Sequence, residues 1–469
     1  MSARDDLVRR SLADAAPRPY WLDQPDAPAA LDPLGESTTA DLAIIGAGFT
    51  GLWTALIAKE RDPGRDVVLV DSVRAGWAAS GRNGGFCSSS LTHGLANGVE
   101  RFGDEMATLE ELGKRNLDEI ERTVARLGIE CDFRRTGEMS VAVAPWHVAG
   151  LREAYEEARS FGANVALLGP DAVQAEVASP TYLGGLWDRD GCAIVDPARL
   201  AWGLRDACRR IGVRIFEGTV VQSISRDGVE LRLDTPGGSV RARQVAVGTG
   251  AFPGPLRRLR AFVVPVYDYA LMTEPLTDAQ LASIGWANRQ GVGDVGNQFH
   301  YYRLTADNRI LWGGYDAVYY NGGTIIAEHD QRPETATKLA EHFFATFPQL
   351  DGVRFSHTWG GVIDTCSRFC AFFGTANGGR LAYAAGYTGL GVGATRFGAE
   401  VMLDLLSGEA TERNSLRMVR MKPVPFPPEP MRSAVIQLTR WSLARADEHD
   451  GHRNVWLRTL DRMGLGYDS

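Results

Sequence analysis

Four consecutive apolar residues, Leu42–Ile45, run straight into glycines, and from Phe49 to Lys59 the apolar positions then recur at helical spacing. A short run of this kind bounded by turn residues suits a strand buried on both faces. The order is strand, tight turn, helix. A second such run, Val67–Val70, ends in Asp71. Helical periodicity returns at Glu105–Leu127 and Val148–Phe161, with a strand at Gly137–Val143 between them, and Leu183–Val195 reads as a hairpin about Asp188-Arg189-Asp190-Gly191. Asp196-Pro197 starts a helix, Ala198–Arg210. Strands at Val213–Phe216, Val229–Leu233 and Val245–Val247 follow. The alternating stretches Val263–Thr273, His300–Leu304 and Ile310–Tyr315 are rich in aromatic residues. His357–Gly374, the strand Leu381–Ala385, a second glycine-rich loop and a helix, Ala394–Leu406, repeat the opening pattern. KPVPFPPEP, Lys422–Pro430, is a stiff linker to a basic amphipathic helix, Arg432–Arg445.

These elements divide the chain. An arm, 1–39, docks Tyr20 and Trp21 on the body. Segments 40–90, 191–256 and 357–412 form a discontinuous nucleotide-binding domain, 91–190 and 257–356 an inserted antiparallel-sheet domain, and 413–469 a helical extension. The class is α/β, α+β overall. On the strand Val263–Thr273, Tyr267 and Tyr269 share one face and Asp268 takes the other.

Of 469 residues, 23% are charged and 44% hydrophobic, as in an ordinary globular protein, and the net charge of -8 argues against a general nucleic-acid footprint. No apolar run is long enough to span a bilayer, and MSARDDLVRR lacks the apolar core of a secretion signal, so a cytoplasmic protein with reduced thiols is expected. The six cysteines are scattered and the eight histidines unclustered, which leaves no metal site to expect.

The motif GAGFTG, Gly46 to Gly51 with Ala47, Phe49 and Thr50 between, carries the first chemistry. Gly46 permits the turn, Gly48 lets backbone amides approach a pyrophosphate, and Gly51 lets helix and strand pack closely. Asp71, about 20 residues on, would accept ribose hydroxyls. A dinucleotide is implied; these residues suit NAD and FAD equally.

Four stretches are similar to the D-amino-acid-oxidase-like superfamily of FAD-dependent oxidoreductases, in the branch of glycine oxidase, sarcosine oxidase and gamma-glutamylputrescine oxidoreductase. They are GAGFTG, GWAASGRNGGF at Gly76–Phe86, DPARLAWGLRDACRRIGVRIFEGT at Asp196–Thr219, and WGGVIDTCSRFCAFFG with AAGYTGLGVG between Trp359 and Gly393. The resemblance implies a Rossmann-like domain holding FAD. Ser80, Gly81, Arg82, Asn83, Gly84 and Gly85 would pass beside the flavin ring. Gly361 and the late loop Tyr387, Thr388, Gly389, Leu390 and Gly391 would face its pyrimidine end. Ser72 and Val221 would lie toward the adenosine, and Gly248, Thr249 and Gly250 near the pyrophosphate.

The departures carry as much. Amino-acid-oxidising relatives place a carboxylate-binding arginine where this chain has Ile363, and another near Gly389; an amine without an adjacent carboxylate is thereby favoured. A lysine and a histidine of the sarcosine-oxidase type fall at Trp312 and Asp316, and loss of the lysine leaves oxygen use open. The residues used for covalent flavin attachment are absent, so non-covalent FAD is expected, with Cys366 the one thiol nearby. The expected reaction is hydride transfer from the carbon beside an amine nitrogen to the flavin, giving an imine that hydrolyses, with O2 reduced to H2O2. Tyr267, Tyr269, Tyr302, Trp312 and Trp359 are the expected aromatic cage, and Arg303 either a cation of that pocket or a solvated strand residue. Two alternatives stand: a dehydrogenase passing electrons to a carrier or quinone, and a flavin-binding subunit without catalysis. Self-association into a homo-oligomer stays open.

Overall fold

Two eight-stranded sheets organise the protein in the computed structural model, which describes residues 3–466. The first sheet is built on five parallel strands in the spatial order Leu381–Ala385, Gly238–Val247, Thr38–Ile45, Val67–Val70 and Arg214–Phe216. Their apolar runs are continuous because helices or strands cover both faces; every residue of Val67–Val70 and of Leu381–Ala385 is buried. Three helices, Phe49–Arg61, Pro197–Arg210 and Gly391–Ser407, send Leu52, Leu200 and Val401 into one core. Asp196 caps the second of them, accepting the Arg199 amide at 3.0 Å, with Pro197 in the first turn.

The second sheet runs Phe355–Thr365, Val264–Thr273, Ile310–Gly314, His300–Leu304, Gly291–Asp294, Glu138–Ala142, Gly184–Asp188 and Val165–Leu168. All its neighbours are antiparallel except Gly291–Asp294 beside Glu138–Ala142.

Several sequence expectations are redrawn. Gly184–Asp188 and Cys192–Ile194 do not form a hairpin: the first pairs with Glu138–Ala142 and Val165–Leu168, the second with Phe86–Ser88. The Asp188 carboxylate accepts the Asp190 and Gly191 amides at 3.2 and 2.9 Å, and this bend sends the chain into the other half, where Cys192–Ile194 is wholly buried. The boundary at 91 also moves. The helix Met106–Leu127 buries Leu109, Leu117 and Ile120 in the nucleotide-side core, and Phe355–Thr365, assigned from sequence to the nucleotide domain, is the edge of the second sheet.

The N-terminal arm docks through Trp21, whose Nε1 donates to the Asn83 carbonyl at 2.9 Å. It also carries a helix, Ala3–Leu12, whose Val8 enters the core of the second sheet. Lys422–Pro430 is no free spacer: the Phe426 amide donates to the Ala261 carbonyl at 2.7 Å. It leads to two helices, Met431–Asp447 and Val455–Arg462. No helix among the described residues is long and apolar enough to cross a membrane. All six cysteines are buried and unbridged.

Candidate active site

Between the two sheets lies a cavity of about 1620 Å³ that reaches from the first glycine loop to the strands Val264–Thr273 and His300–Leu304. Ordinary ligand pockets hold roughly 300–1,000 Å³, so this one has room for a dinucleotide with a second molecule beside it. Of the cofactor residues expected from sequence, all but Ala47, Gly51, Gly81 and Gly85 line it. Those four shape its walls. A Cβ on Gly51 would stand 1.8 Å from the Gly46 carbonyl oxygen, and one on Gly81 or Gly85 would stand 2.2 Å from the carbonyl of Gly76 or Val195. The Ala47 amide donates to Asp71 Oδ2 at 2.7 Å, which fixes the carboxylate beside the loop, and burial raises the Asp71 pKa above the usual carboxylate value.

Two features suit this cavity to a phosphate-bearing, electron-rich group. Gly46 sits at φ +100°, where a Cβ would fall 2.5 Å from the Gly248 carbonyl oxygen, so only a bare backbone lines the cradle. The helices Phe49–Arg61 and Gly391–Ser407 both begin on the cavity without a side-chain cap. Their positive ends face one space, where anionic ligand groups are stabilised, and the Phe49 amide is held by Ser80 Oγ at 2.9 Å. These residues fit a bound FAD.

The SGRNGG segment is held by its own side chains. Asn83 Nδ2 donates to the Ala79 carbonyl at 2.8 Å and its Oδ1 accepts the Gly85 amide at 2.8 Å. Arg82 pairs with Asp330 at 2.5 Å, and its carbonyl accepts Trp359 Nε1 at 2.8 Å. The segment is thus pinned to Phe355–Thr365, the edge strand of the second sheet. Cys366 lies on the wall with its Sγ 3.2 Å from the Cys370 carbonyl oxygen, its thiol pushed up to about 11 by burial.

The aromatic cage is where tertiary structure departs furthest from the sequence reading. Tyr302 and Trp312 do not face the cavity; they stack at 4.4 Å on the far side of the second sheet, against Phe343 and Phe347. Tyr302 Oη shares a 2.6 Å hydrogen bond with Tyr182 Oη. Tyr267 and Tyr269 join that core, and Tyr269 Oη donates to the His329 carbonyl at 2.8 Å, although Tyr269 also touches the cavity. Trp359 touches the cavity too but packs among Trp21, Trp202 and Met272. Asp316 lies outside the cavity, held by Arg332 at 2.6 Å and Thr335 at 2.7 Å. Arg303 is neither a pocket cation nor solvated: it is fully buried, donates to the Val195 carbonyl at 2.5 Å, lies over the Trp21 ring, and its pKa is lowered to about 10 by burial. Ile363 lies on the cavity wall.

The opposite face of the same strands supplies what the sequence reading passed over. Asp268 and Tyr301 both line the cavity, and Tyr301 Oη donates to Asp268 Oδ2 at 2.5 Å. Burial, opposed by this bond and by one from the Tyr269 amide at 2.9 Å, pushes the Asp268 pKa up to about 6. The signal was present: an acid flanked by Tyr267 and Tyr269 on an apolar strand stands alone on its face. Asp364, also on the wall, accepts the Gly386 amide at 2.7 Å and is raised by burial to about 6.

A parallel nucleotide sheet, a bare glycine cradle and a deep chamber between the sheets define a dinucleotide-dependent protein. Residues 41–405 match the DAO family, FAD dependent oxidoreductase, and the chain belongs to it. It is 33% identical over 411 residues to gamma-glutamylputrescine oxidoreductase from Escherichia coli (strain K12), covering 85% of this chain and 90% of that protein. The fold is shared with glycine oxidase from Geobacillus kaustophilus, with a TM-score of 0.66 at 20% identity over 80% of this chain and 96% of that one. L-proline dehydrogenase from P. horikoshii also has a TM-score of 0.66, at 17% identity over 80% of this chain and 95% of that one.

Proposed function

We propose that this flavoenzyme oxidises the carbon–nitrogen bond of an amine, with Asp268 receiving the substrate. When bound, FAD supplies the two-electron acceptor, and we expect it to be held without a covalent link. The Asp268 carboxylate attracts the ammonium form by ion pairing inside the cavity, where charge–charge attraction is less screened than in bulk water. With a pKa of about 6 it can then take a proton onto Oδ2, while Tyr301 Oη keeps that oxygen aimed at the chamber. The amine left behind is neutral, as loss of hydride from the adjacent carbon requires. The uncapped start of Gly391–Ser407 favours negative charge gathering at that end of the cavity. The hydride leaves the substrate with its electron pair, and water then hydrolyses the resulting imine to a carbonyl compound and an amine or ammonia.

The observation that carries this reading is the single cavity joining the cofactor cradle to the half-buried Asp268 carboxylate, with Ile363 where the family resemblance places a carboxylate-binding arginine in amino-acid-oxidising relatives. Gamma-glutamylputrescine, the compound in the name of the E. coli relative, is the first substrate to try. We take O2 as the acceptor, giving H2O2; a carrier or quinone is the second reading, because an oxidase and a dehydrogenase share this fold. A reducing compartment, the cytoplasm, suits six unbridged thiols. The test is an anaerobic screen in which flavin absorbance is followed as amines and α-amino acids are added. Bleaching by putrescine-type amines ahead of α-amino acids is expected. Bleaching by α-amino acids alone, or by nothing, overturns the proposal.

A further inference from the structure

We propose that the C-terminal helical segment is the specificity-determining wall of the substrate chamber, latched to the second sheet through Asp447. The identity of its ligand as an amine rests on the reading above. The family match ends at residue 405, so this wall lies outside the matched stretch. Yet Ile436 and Leu443 of the helix Met431–Asp447, and Leu457 and Leu460 of Val455–Arg462, line the same cavity as the glycine cradle. Helix Met431–Asp447 is not held there by a deep core of its own: only Ser442 and Ala446 along its length are buried.

Polar contacts do the holding instead. Asp447 Oδ1 accepts the Asn297 amide at 3.0 Å and Asn297 Nδ2 at 2.7 Å, and Oδ2 accepts the Gln298 amide at 2.9 Å. Three donors on one carboxylate make a strong, geometrically specific fastening. Asn297 and Gln298 themselves line the cavity and lead directly into the strand His300–Leu304, which carries Tyr301. Further out, Tyr319 Oη donates to Glu429 at 2.5 Å and Arg101 donates to the Gly464 carbonyl at 2.5 Å. The segment is therefore fastened at its start, middle and end. Between those points Ile436, Leu443, Leu457 and Leu460 form an apolar strip on the cavity wall, bordered by Thr439, Arg440 and Arg453. The chemical class this selects is an amine with an apolar spacer beyond the reacting carbon, which the side chains of Ile436, Leu443, Leu457 and Leu460 measure by contact.

The test uses the FAD-loaded, full-length enzyme. Asp447→Ala removes the latch; the double variant Ile436→Ala/Leu443→Ala keeps it and enlarges the wall. Iodide quenching of flavin fluorescence reads access to the chamber without any substrate. For Asp447→Ala the quenching constant is expected to rise at least threefold. In both variants the ranking of straight-chain amines by length, read as rate constant over Kd for anaerobic flavin bleaching, is expected to flatten by about tenfold, through Kd more than through the limiting rate. Unchanged ranking in the double variant overturns the specificity role, whatever the quenching result. Unchanged quenching in a folded Asp447→Ala protein overturns the latch. Should no amine bleach even the wild-type flavin, the substrate reading fails while quenching still decides whether the segment closes the chamber. If Asp447→Ala does not fold, Asp447→Asn, which keeps one accepting oxygen, gives the same readout with a smaller rise.

Discussion

Replacing Asp268 by asparagine should stabilise the protein at neutral pH while weakening its reaction with amines. Burial lifts this carboxyl from an ordinary value of 3.8 to about 6, so keeping it ionised at pH 8 costs about 3 kcal/mol of folding free energy. The folded state holds the proton more tightly than the unfolded chain does. Stability therefore falls as pH rises from about 4 to about 6, and the whole penalty is present above that range. Asparagine keeps an oxygen for the Tyr269 amide, and its Nδ2 can donate to Tyr301 Oη, because a hydroxyl both accepts and donates. The expected gain is about 1–3 kcal/mol at pH 8 and close to zero at pH 4, read from urea midpoints of variant and wild type at both values. Amine-dependent bleaching should slow by about 10²-fold, as expected for loss of a charge-assisted contact of about 2–3 kcal/mol. An equal stability change at pH 4 and pH 8, or a loss at pH 8, would refute the argument that Asp268 is a desolvated, cation-seeking carboxylate.

Gly51→Ala places a methyl 1.8 Å from the Gly46 carbonyl oxygen, so the cradle must shift; we expect a protein destabilised by about 1–3 kcal/mol that purifies with most of its flavin missing, measured as the ratio of absorbance at the flavin and protein bands. Tyr302→Phe leaves Tyr182 Oη without its 2.6 Å partner in the far-side core and should cost about 1–3 kcal/mol of stability, yet leave amine bleaching unchanged; a loss of substrate affinity would restore the cage that the structure dismantles.

How much was legible follows from which signals are local. The strand–glycine–helix order at Leu42–Lys59, the acid at Asp71 and the late glycine loop were readable, since each rests on a few adjacent residues whose backbone must bend or approach closely. Alternation even placed Asp268 opposite Tyr267 and Tyr269. It could not say which face looked into the chamber. That choice came from the helix Pro333–Thr346, whose Phe343 pairs with a stretch ending at Phe347 to cover one side of the second sheet with rings and draw Tyr302 and Trp312 into a core. The same reason undoes the hairpin at Leu183–Val195, where each strand found its partner far along the chain.

The order of apolar and small residues by itself determined the strand Thr38–Ile45, its glycine turn and the helix Phe49–Arg61, because each of these is written in adjacent residues. Only the tertiary structure decided that Asp268 and Tyr301 line the chamber while Tyr302 and Trp312 do not, that Arg303 is walled in, and that the helices Met431–Asp447 and Val455–Arg462 reach the cavity. Such outcomes depend on burial and on partners tens to hundreds of residues away, and periodicity along a chain carries no record of either.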